Sequence, residues 1–318
     1  LLYIALLCLV VLWFLGVRNR DPDRYEAMRQ TLNNYEFQLK EEKLLIAEKL
    51  RMIKKDCQIW DPELPVIYII TPTYARPVQK AELTRLSHTF MLVQNLHWIL
   101  VEDSDFHTPL VTNFLSNTHL NYTHLIAPTP AEWKRKEKEP NWVKPRGVLQ
   151  RNRALDWLRQ NLNPDTHKGV VYFADDDNSY GLEVFQEMRY TKEVSVWPVG
   201  LVGGLMVEKP EIDKTTGRVI GFNSVWKPER QFPLDMAGFA INLQHLLKHP
   251  EARFQLSVKG GWQETELLRH LTTRERLEPM ADNCTKVYVW HTRTEPPKMA
   301  EEEKLKAKGY SSNLGMEV

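Results

Sequence analysis

Residues 170–178 read VVYFADDDN, an apolar run that ends in three adjacent aspartates and an asparagine. A short, continuous apolar run is typical of a strand that is buried on both faces, as in a parallel sheet. In open α/β sheets, ligands bind beyond the carboxyl ends of the strands. The stretch therefore predicts a buried strand over residues 170–174 that delivers Asp175, Asp176 and Asp177 to a binding site.

On both sides of this strand, from residue 65 onward, predicted strands alternate with predicted helices. Strands are predicted over residues 66–70, 98–101, 123–127 and 170–174, and helices over residues 82–93 and 150–162. This alternation predicts an α/β fold with a mostly parallel, doubly wound sheet. The first two strands also end in polar residues, TPTYAR at 71–76 and Glu102-Asp103. Three polar strand ends in one sheet indicate a nucleotide site.

Past residue 195 the chain is richer in strands and turns. This predicts a second half with mixed secondary structure, which would bind an acceptor substrate. We expect helices over residues 241–248 and 265–271, a hairpin around residues 213–217, a strand over residues 286–289, and a charged, helical or mobile tail over residues 300–308. The predicted organisation is a donor-binding subdomain over residues 65–194, and an acceptor-binding subdomain with a C-terminal arm over residues 195–318.

The first 17 residues, LLYIALLCLVVLWFLGV, carry no charge. As a helix they would span about 25 Å, the low end for a bilayer crossing. We expect a transmembrane signal anchor over residues 1–17, with a cleaved signal peptide as the rival interpretation. The Lys/Arg excess that follows would by itself place the body in the cytoplasm.

Residues 18–64 are predicted to form a helical stem. Apolar residues recur there every seven positions, at Tyr25, Leu32, Leu39, Ile46 and Ile53, but Glu42 and Lys49 interrupt the second apolar position of the heptad. A marginal coiled coil and a lone spacer helix both fit this pattern. In a parallel dimer, Cys57 could bridge two chains, and a free thiol fits equally well.

Composition narrows the class of protein. With 42 Lys and Arg against 41 Asp and Glu, the net charge of +1 gives no field that would draw the chain to nucleic acid. Three cysteines are too few for a disulfide scaffold. Two sequons, at Asn121 and Asn283, would be surface N-glycosylation acceptors in a lumenal domain.

The triple aspartate is the sharpest chemical signal. Adjacent carboxylates repel one another, so a buried strand end keeps them where cations compensate the charge. Carboxylate oxygens suit Mg²⁺ or Mn²⁺, which usually take one or two carboxylates and fill their other positions with water and phosphate oxygens. The alternative is an acidic run that only caps the next helix.

Further candidates flank this site. Arg146, Arg151 and Arg153 precede or begin a predicted helix and could meet phosphate, although Arg153 fits a solvated surface better. His291 and Arg293 project to one side if the strand before them continues. Glu264 could act as a general base, or could be an ordinary first-turn glutamate of a helix.

Several blocks resemble the animal β-1,3-glucuronyltransferase family, in the same order along the chain. They are TPTYARP, FADDDN, VSVWPVGLVGG, FPLDMAGFA, Gln263-Glu264 and NCTKVYVWHTRTE, and the resemblance covers roughly residues 65–318. The tail PPKMAEEEKLKAKG and the final Met-Glu-Val resemble the branch that acts on the proteoglycan linkage region.

The resemblance implies a GT-A-like fold and Mn²⁺-dependent, inverting transfer of glucuronate from UDP-glucuronate. The acceptor would be the 3-hydroxyl of a terminal galactose on a protein-linked glycan, in Gal-Gal-Xyl or, as the alternative, in Gal-GlcNAc of HNK-1 type. It also implies a homodimer and a single-pass type II Golgi membrane protein with a lumenal catalytic domain. The family's C-terminal arm carries a Gln where this chain has Glu301, so a cross-subunit acceptor contact is not carried over.

Residue roles follow by matching motifs. Donor-binding residues would be Pro72, Tyr74 and Asp103 for uracil and ribose, Arg146 and Arg151, Asp175 and Asp176 on the ribose and sugar side, and His291 and Arg293 at the diphosphate. Asp177 would bind Mn²⁺ and Glu264 would be the catalytic base. Acceptor-binding residues would be Glu208, Trp226, Arg230 and Asp235.

Two other classes of protein also fit part of the sequence. A metal-dependent phosphohydrolase needs clustered carboxylates too, but usually with several His ligands in a two-metal site, and the ten His here are scattered. A non-catalytic lectin or scaffold on the same fold is opposed by Glu264 and the intact aspartate run. Turnover of a UDP-sugar separates these interpretations.

Overall fold

One helix, α1 (Pro22–Asp56), covers most of the described part of the predicted stem, and residues 60–64 at its end are not helical. The computed structural model describes residues 21–56, 60–134, 144–295 and 297–318, and the chain divides into two units, Leu1–Gln58 and Ile59–Val318. The heptad residues Leu32, Leu39 and Ile46 of α1 are exposed. The predicted anchor over residues 1–17 lies outside the described residues, as does Cys57. Within the described ranges, no helix combines the length and the apolar character that a bilayer crossing needs.

The second unit holds twelve described strands in two sheets. They are β1 (Val66–Thr73), β2 (Leu96–Glu102), β3 (Asn121–Ile126), β4 (Gly169–Phe173), β5 (Ser179–Tyr180), β6 (Val194–Val196), β7 (Val199–Gly200), β8 (Val207–Ile212), β9 (Val219–Asn223), β10 (Phe239–Asn242), β11 (Glu278–Pro279) and β12 (Val289–Trp290). The larger sheet has the order β11-β6-β10-β4-β1-β2-β3, and the smaller has the order β5-β12-β7-β8-β9.

The larger sheet is mostly parallel, as predicted, with one exception. Strands β4, β1, β2 and β3 are parallel neighbours, whereas β10 runs antiparallel between β4 and β6. The α/β class and a mixed sheet are therefore confirmed. The predicted subdomain limit at residues 194 and 195 falls inside β6, and β10 and β11 from the second half belong to the same sheet as β1.

Helices cover the sheets and connect their strands. They are α2 (Gln79–Phe90), α3 (Pro109–Ser116), α4 (Val148–Asn161), α5 (Leu182–Met188), α6 (Leu243–Leu247), α7 (Gln263–Leu268) and α8 (Ala300–Ala307), with 3₁₀ turns at Met236–Gly238 and Arg274–Arg276. The helix predicted over residues 150–162 is confirmed by α4, which buries Ala154, Leu155 and Leu158 completely. The helical tail is also confirmed by α8.

Two predicted elements of the second half are wrong at their limits. The helix expected over residues 241–248 begins only at Leu243, because Ile241 pairs with Val171 of β4 instead. The strand expected over residues 286–289 is only Val289–Trp290, because Lys286 N–H still bonds the Ala281 carbonyl and closes a left-handed turn over Ala281–Cys284. The hairpin is correct, since β8 and β9 are antiparallel around Asp213.

Strand β1 lies between β4 and β2, with an apolar cluster on each face, and holds the polar residues at its end in place. Ile67 and Ile69 point into one apolar cluster, and Tyr68 and Ile70 point into the other, on the opposite face of the sheet. Fully burying such a side chain stabilises the fold by about 1.5–3 kcal/mol. The strands β1, β2 and β4 are therefore held by a well-packed core. Because they are parallel, the polar residues that follow them lie at the same edge of the sheet.

Candidate active site

The three aspartates that follow β4 have different electrostatic partners. Asp175 Oδ1 lies 2.5 Å from Arg151 Nη2, and Asp176 Oδ2 lies 2.7 Å from Arg76 Nη2. Within the part of the chain that the structure describes, the carboxylate of Asp177 has no ion pair. Burial, and then the charges of Asp175 and Asp176, raise the pKa of Asp177 to about 6. Arginines thus compensate two of the carboxylates, and the third keeps an excess of negative potential.

Asp177 is the residue at which a divalent cation would fit. A cation would offset the repulsion that raises its pKa, and carboxylate oxygen is the donor that Mg²⁺ and Mn²⁺ prefer. Among the described residues, no three His, Cys, Asp or Glu side chains come together as a complete metal cage. A cation held here would therefore take its other oxygens from water and from a bound ligand, which agrees with the predicted metal–diphosphate site.

The predicted nucleoside residues lie at the ends of β1 and β2. Half of Tyr74, 48%, is exposed, and the Cζ atom of Arg76 lies 4.5 Å from the centre of its ring. Asp103 accepts two hydrogen bonds from Thr129, at 2.7 Å from the backbone N–H and at 2.8 Å from the hydroxyl. Pro72 is the β1 residue that pairs with Val101. The arrangement offers an exposed aromatic ring beside an anchored carboxylate.

The start of α4 places the two predicted donor arginines differently. Arg151 is buried, and its Nη1 donates to the carbonyl of Arg146 at 3.0 Å, while the side chain of Arg146 is exposed. Gly147 between them has a φ of +71°, and a Cβ there would lie 2.5 Å from Arg151 Nη1. This glycine is required both by its left-handed backbone and by the close approach of Arg151.

Glu264 lies in the first turn of α7 with a carboxylate that faces Arg230. Its Oε2 atom is buried, accepts no hydrogen bond from any described residue, and lies 3.7 Å from Arg230 Nη1. Burial raises the pKa of Glu264 to about 7, although the charge of Arg230 acts in the opposite direction. A carboxylate with a raised pKa and an unused acceptor atom is suited to take a proton from a bound hydroxyl near neutral pH.

Asp235 and His291 form a second charged pair. His291 Nδ1 lies 3.2 Å from Asp235 Oδ2, and this pairing raises the pKa of His291 despite its burial. Burial pushes the pKa of Asp235 upward, but the interaction with His291 outweighs it and brings the pKa below its ordinary value. The strand before His291 ends at Trp290, so His291 is placed by a hydrogen bond from its N–H to the Gly200 carbonyl and not by continued strand pairing.

Two of the predicted acceptor residues, Trp226 and Arg230, form a connected wall with Glu264. Arg230 is buried and donates to the carbonyls of Trp226 and Gly261, at 3.0 and 2.6 Å. Trp226 is 39% exposed, so part of its indole is open to solvent. Glu208 is buried and accepts a 2.8 Å hydrogen bond from the Ser224 hydroxyl. The wall therefore combines an aromatic surface with fixed hydrogen-bonding groups, the chemistry that suits a sugar.

A family model described as Glycosyltransferase family 43 matches residues 86–295, which include the acidic turn, Arg230, Glu264 and His291. The chain belongs to this family. Its relatives include galactosylgalactosylxylosylprotein 3-beta-glucuronosyltransferase I of Drosophila melanogaster, which is 56% identical over 259 residues, 80% of this chain and 84% of that protein.

The chain is also similar to a second relative and to a solved structure. Galactosylgalactosylxylosylprotein 3-beta-glucuronosyltransferase 3 of Homo sapiens is 53% identical over 284 residues, 86% of this chain and 84% of that protein. Among solved structures, S. aureus TarS 1-349 in complex with UDP shares 14% identity with a TM-score of 0.44, over 72% of this chain and 61% of that chain.

The remaining predicted residues of this family 43 member lie at the surface. Arg293 is exposed two residues beyond His291. Both sequon asparagines are exposed, Asn121 at the start of β3 and Asn283 in the left-handed turn over Ala281–Cys284.

Sequence reasoning missed several polar residues that hold the family 43 site together. Thr129 anchors Asp103, Thr73 donates to Asp176, and Glu82 pairs with Arg76. Arg76 stands in the quoted TPTYAR block, but nothing in a linear pattern pairs it with a carboxylate 100 residues away. The buried Glu82 in an otherwise amphipathic helix is the one signal that could have drawn attention.

Proposed function

We propose that the chain transfers glucuronate from UDP-glucuronate to the 3-hydroxyl of the terminal galactose in Gal-Gal-Xyl of the proteoglycan linkage region. Membership of family 43 supports glycosyl transfer. The names of the relatives from Drosophila melanogaster and Homo sapiens support this donor sugar and acceptor. The observation that carries the proposal is the buried Oε2 of Glu264, which accepts no hydrogen bond from any described residue and lies 3.7 Å from Arg230 Nη1.

Glu264 is the general base in this mechanism. Its carboxylate takes the proton of the acceptor 3-hydroxyl as that oxygen forms a bond to the anomeric carbon of glucuronate. The bond from the anomeric carbon to the UDP oxygen breaks in the same step, and its electron pair leaves with UDP. Because one displacement occurs on the face opposite the leaving group, an α-linked donor gives a β-linked product.

The donor residues hold UDP on the other side of the reacting carbon. The uridine is bound by Pro72, Tyr74 and Asp103, while Asp175 and Asp176 face the ribose and the sugar. His291, whose pKa is raised by Asp235, carries positive charge toward the diphosphate together with Arg293. Arg146 and Arg151 serve the donor beside Asp175. These groups orient the anomeric carbon toward the acceptor oxygen and stabilise the charge that develops on UDP.

Asp177 is the proposed Mn²⁺ ligand. Its raised pKa and its lack of an ion pair among the described residues support this role. When bound with UDP, Mn²⁺ supplies positive charge that neutralises the diphosphate as it leaves.

Cellular setting and assembly are part of the proposal. We expect a type II Golgi membrane protein that is anchored by residues 1–17, has its catalytic unit in the lumen, and acts as a homodimer. The uncharged run LLYIALLCLVVLWFLGV supports the anchor, and the family resemblance supports the compartment and the dimer.

The decisive experiment uses the purified second unit with UDP-glucuronate and Mn²⁺. Gal-Gal-Xyl and Gal-GlcNAc are offered as acceptors, and the product linkage is determined by NMR. We expect β-1,3-linked glucuronate on Gal-Gal-Xyl, and loss of turnover with retained UDP affinity in Glu264→Gln. Normal turnover in Glu264→Gln would reject the assignment of Glu264 as the base. A preference for Gal-GlcNAc would show that Gal-GlcNAc, and not Gal-Gal-Xyl, is the acceptor.

A further inference from the structure

Glu82 is a buried carboxylate close to the residues that would bind the nucleoside. It stands in the first turn of α2, and only 3% of its side chain is exposed. Its Oε2 pairs closely with Nη2 of Arg76, and the same nitrogen lies 2.7 Å from Oδ2 of Asp176. One guanidinium therefore bridges two buried carboxylates, of which only Asp176 belongs to the proposed donor site.

Arg76 also fixes Tyr74. Its Cζ lies 4.5 Å from the centre of the Tyr74 ring, and its Nη1 donates to the Tyr74 carbonyl at 3.0 Å. A guanidinium over the ring face is attracted by the π electrons and restrains the orientation of the ring. Since half of Tyr74 is exposed, Arg76 covers one part of this side chain and leaves the rest open to a base.

Asp176 is held on one oxygen only. Its Oδ2 accepts a 2.7 Å hydrogen bond from Thr73, whose hydroxyl accepts in turn from Gln79 Nε2 at 3.2 Å. No described residue bonds Oδ1, so this oxygen remains for a ribose hydroxyl. Two of the side chains that would contact the nucleoside, Tyr74 and Asp176, are thus both fixed through Arg76.

Stability alone does not account for Glu82. Arg76 and Asp176 already balance each other, and a second buried carboxylate leaves the group of three with a net negative charge at a desolvation cost. What Glu82 adds is a second carboxylate acceptor on Nη2, beside Asp176, while Nη1 donates to the Tyr74 carbonyl. With this third acceptor the guanidinium is held from three sides, which restricts its rotation about the line that joins Asp176 and the Tyr74 carbonyl.

We propose that Glu82 is a positioning residue for nucleotide binding, which acts through Arg76 to hold Tyr74 and Asp176 in the geometry that receives the uridine of the donor. The inference deepens the proposed function and rests on it. It predicts that loss of the Glu82 charge weakens donor binding while proton transfer by Glu264 is unaffected.

The test compares Glu82→Gln, Glu82→Asp and the wild type. UDP affinity is measured by calorimetry with MnCl₂, and KM for UDP-glucuronate, KM for the acceptor and kcat are measured in parallel. For Glu82→Gln we expect UDP affinity to fall and donor KM to rise about tenfold, within the coupling range of neighbours in one network, with kcat and acceptor KM within about twofold. Glu82→Asp, which keeps the charge on a shorter chain, should recover part of the loss.

Controls separate positioning from a merely structural role. Asp156→Asn removes a carboxylate from a different ion pair, with Arg253, and should change melting temperature without changing UDP affinity. If Glu82→Gln does not fold, Arg76→Lys keeps the charge but loses the fork, and it should reproduce the effect. Wild-type UDP affinity in the folded variant, or a fall in kcat at constant donor KM, would overturn the proposal. A wild type that binds UDP but transfers no glucuronate would instead refute the proposed function.

Discussion

Replacement of Gly261 by alanine should displace the side chain of Trp226, one of the predicted acceptor-binding residues. Gly261 has a φ of +82°, and a Cβ there would lie 2.6 Å from Nε1 and 3.3 Å from Cδ1 of Trp226. Ordinary contact needs about 3.5 Å or more, so the indole must move outward by about 1 Å. Because Trp226 is 39% exposed, its indole can move toward solvent. The substitution should therefore weaken acceptor binding more than it lowers the free energy of unfolding.

Gly204 offers a matched control. Its φ is also +82°, but a Cβ there meets nothing within 4 Å. Both alanine variants carry the backbone cost of the left-handed region, about 1–2 kcal/mol, which corresponds to a fall in melting temperature of a few degrees for a unit of this size. Only Gly261→Ala adds the displacement of Trp226, so the difference between the two variants isolates that contact.

The assay is steady-state transfer with the acceptor varied at saturating UDP-glucuronate, beside calorimetry with UDP. For Gly261→Ala we expect acceptor KM to rise about tenfold, within the effect of a misplaced binding group, and UDP affinity to stay at the wild-type value. For Gly204→Ala both should match the wild type. Equal acceptor KM in the two variants would refute the role of Trp226 in the acceptor site.

Three further predictions concern the base, the metal and the core. Because the pKa of Glu264 is raised to about 7, and because the proposed base acts in its deprotonated form, kcat/KM should fall about tenfold from pH 8 to pH 6. A flat profile would contradict this. Asp177→Asn should remove the gain in UDP affinity that MnCl₂ gives the wild type in calorimetry, and an unchanged gain would exclude Asp177 as the ligand. Phe185 is fully buried and its ring packs against Tyr172, so Phe185→Ala should lower the free energy of unfolding, measured with denaturant, by about 3–5 kcal/mol. Tyr190 is exposed, so Tyr190→Ala should leave the free energy of unfolding nearly unchanged.

The parallel part of the sheet could be predicted because its signals are local. The strands around Ile69, Ile99 and Val171 are short, continuous apolar runs, and such runs indicate burial on both faces wherever they occur. The carboxyl-end rule then placed Asp103 and Asp177 at one edge without knowledge of their neighbours.

The short elements and the partners of the charged residues could not be predicted in the same way. Helix α5 is only seven residues long, and β10 is a strand because Ile241 pairs with Val171, a contact between residues 70 positions apart. The pairing of Arg76 with Asp176 likewise spans 100 residues. For Glu264, the raised pKa depends on burial by the complete fold, which a linear pattern does not contain.

The antiparallel strand β10 also has a consequence for synthesis on the ribosome. Until residues 239–242 have emerged, the hydrogen-bonding edge of β4 that β10 will occupy has no partner, although β4 itself is complete some 65 residues earlier. An apolar strand with an open edge is a site of aberrant pairing with other chains. Nascent chains of this protein should therefore depend on chaperones during that interval, and truncations that end before β10 should aggregate instead of yielding an isolated nucleotide-binding half.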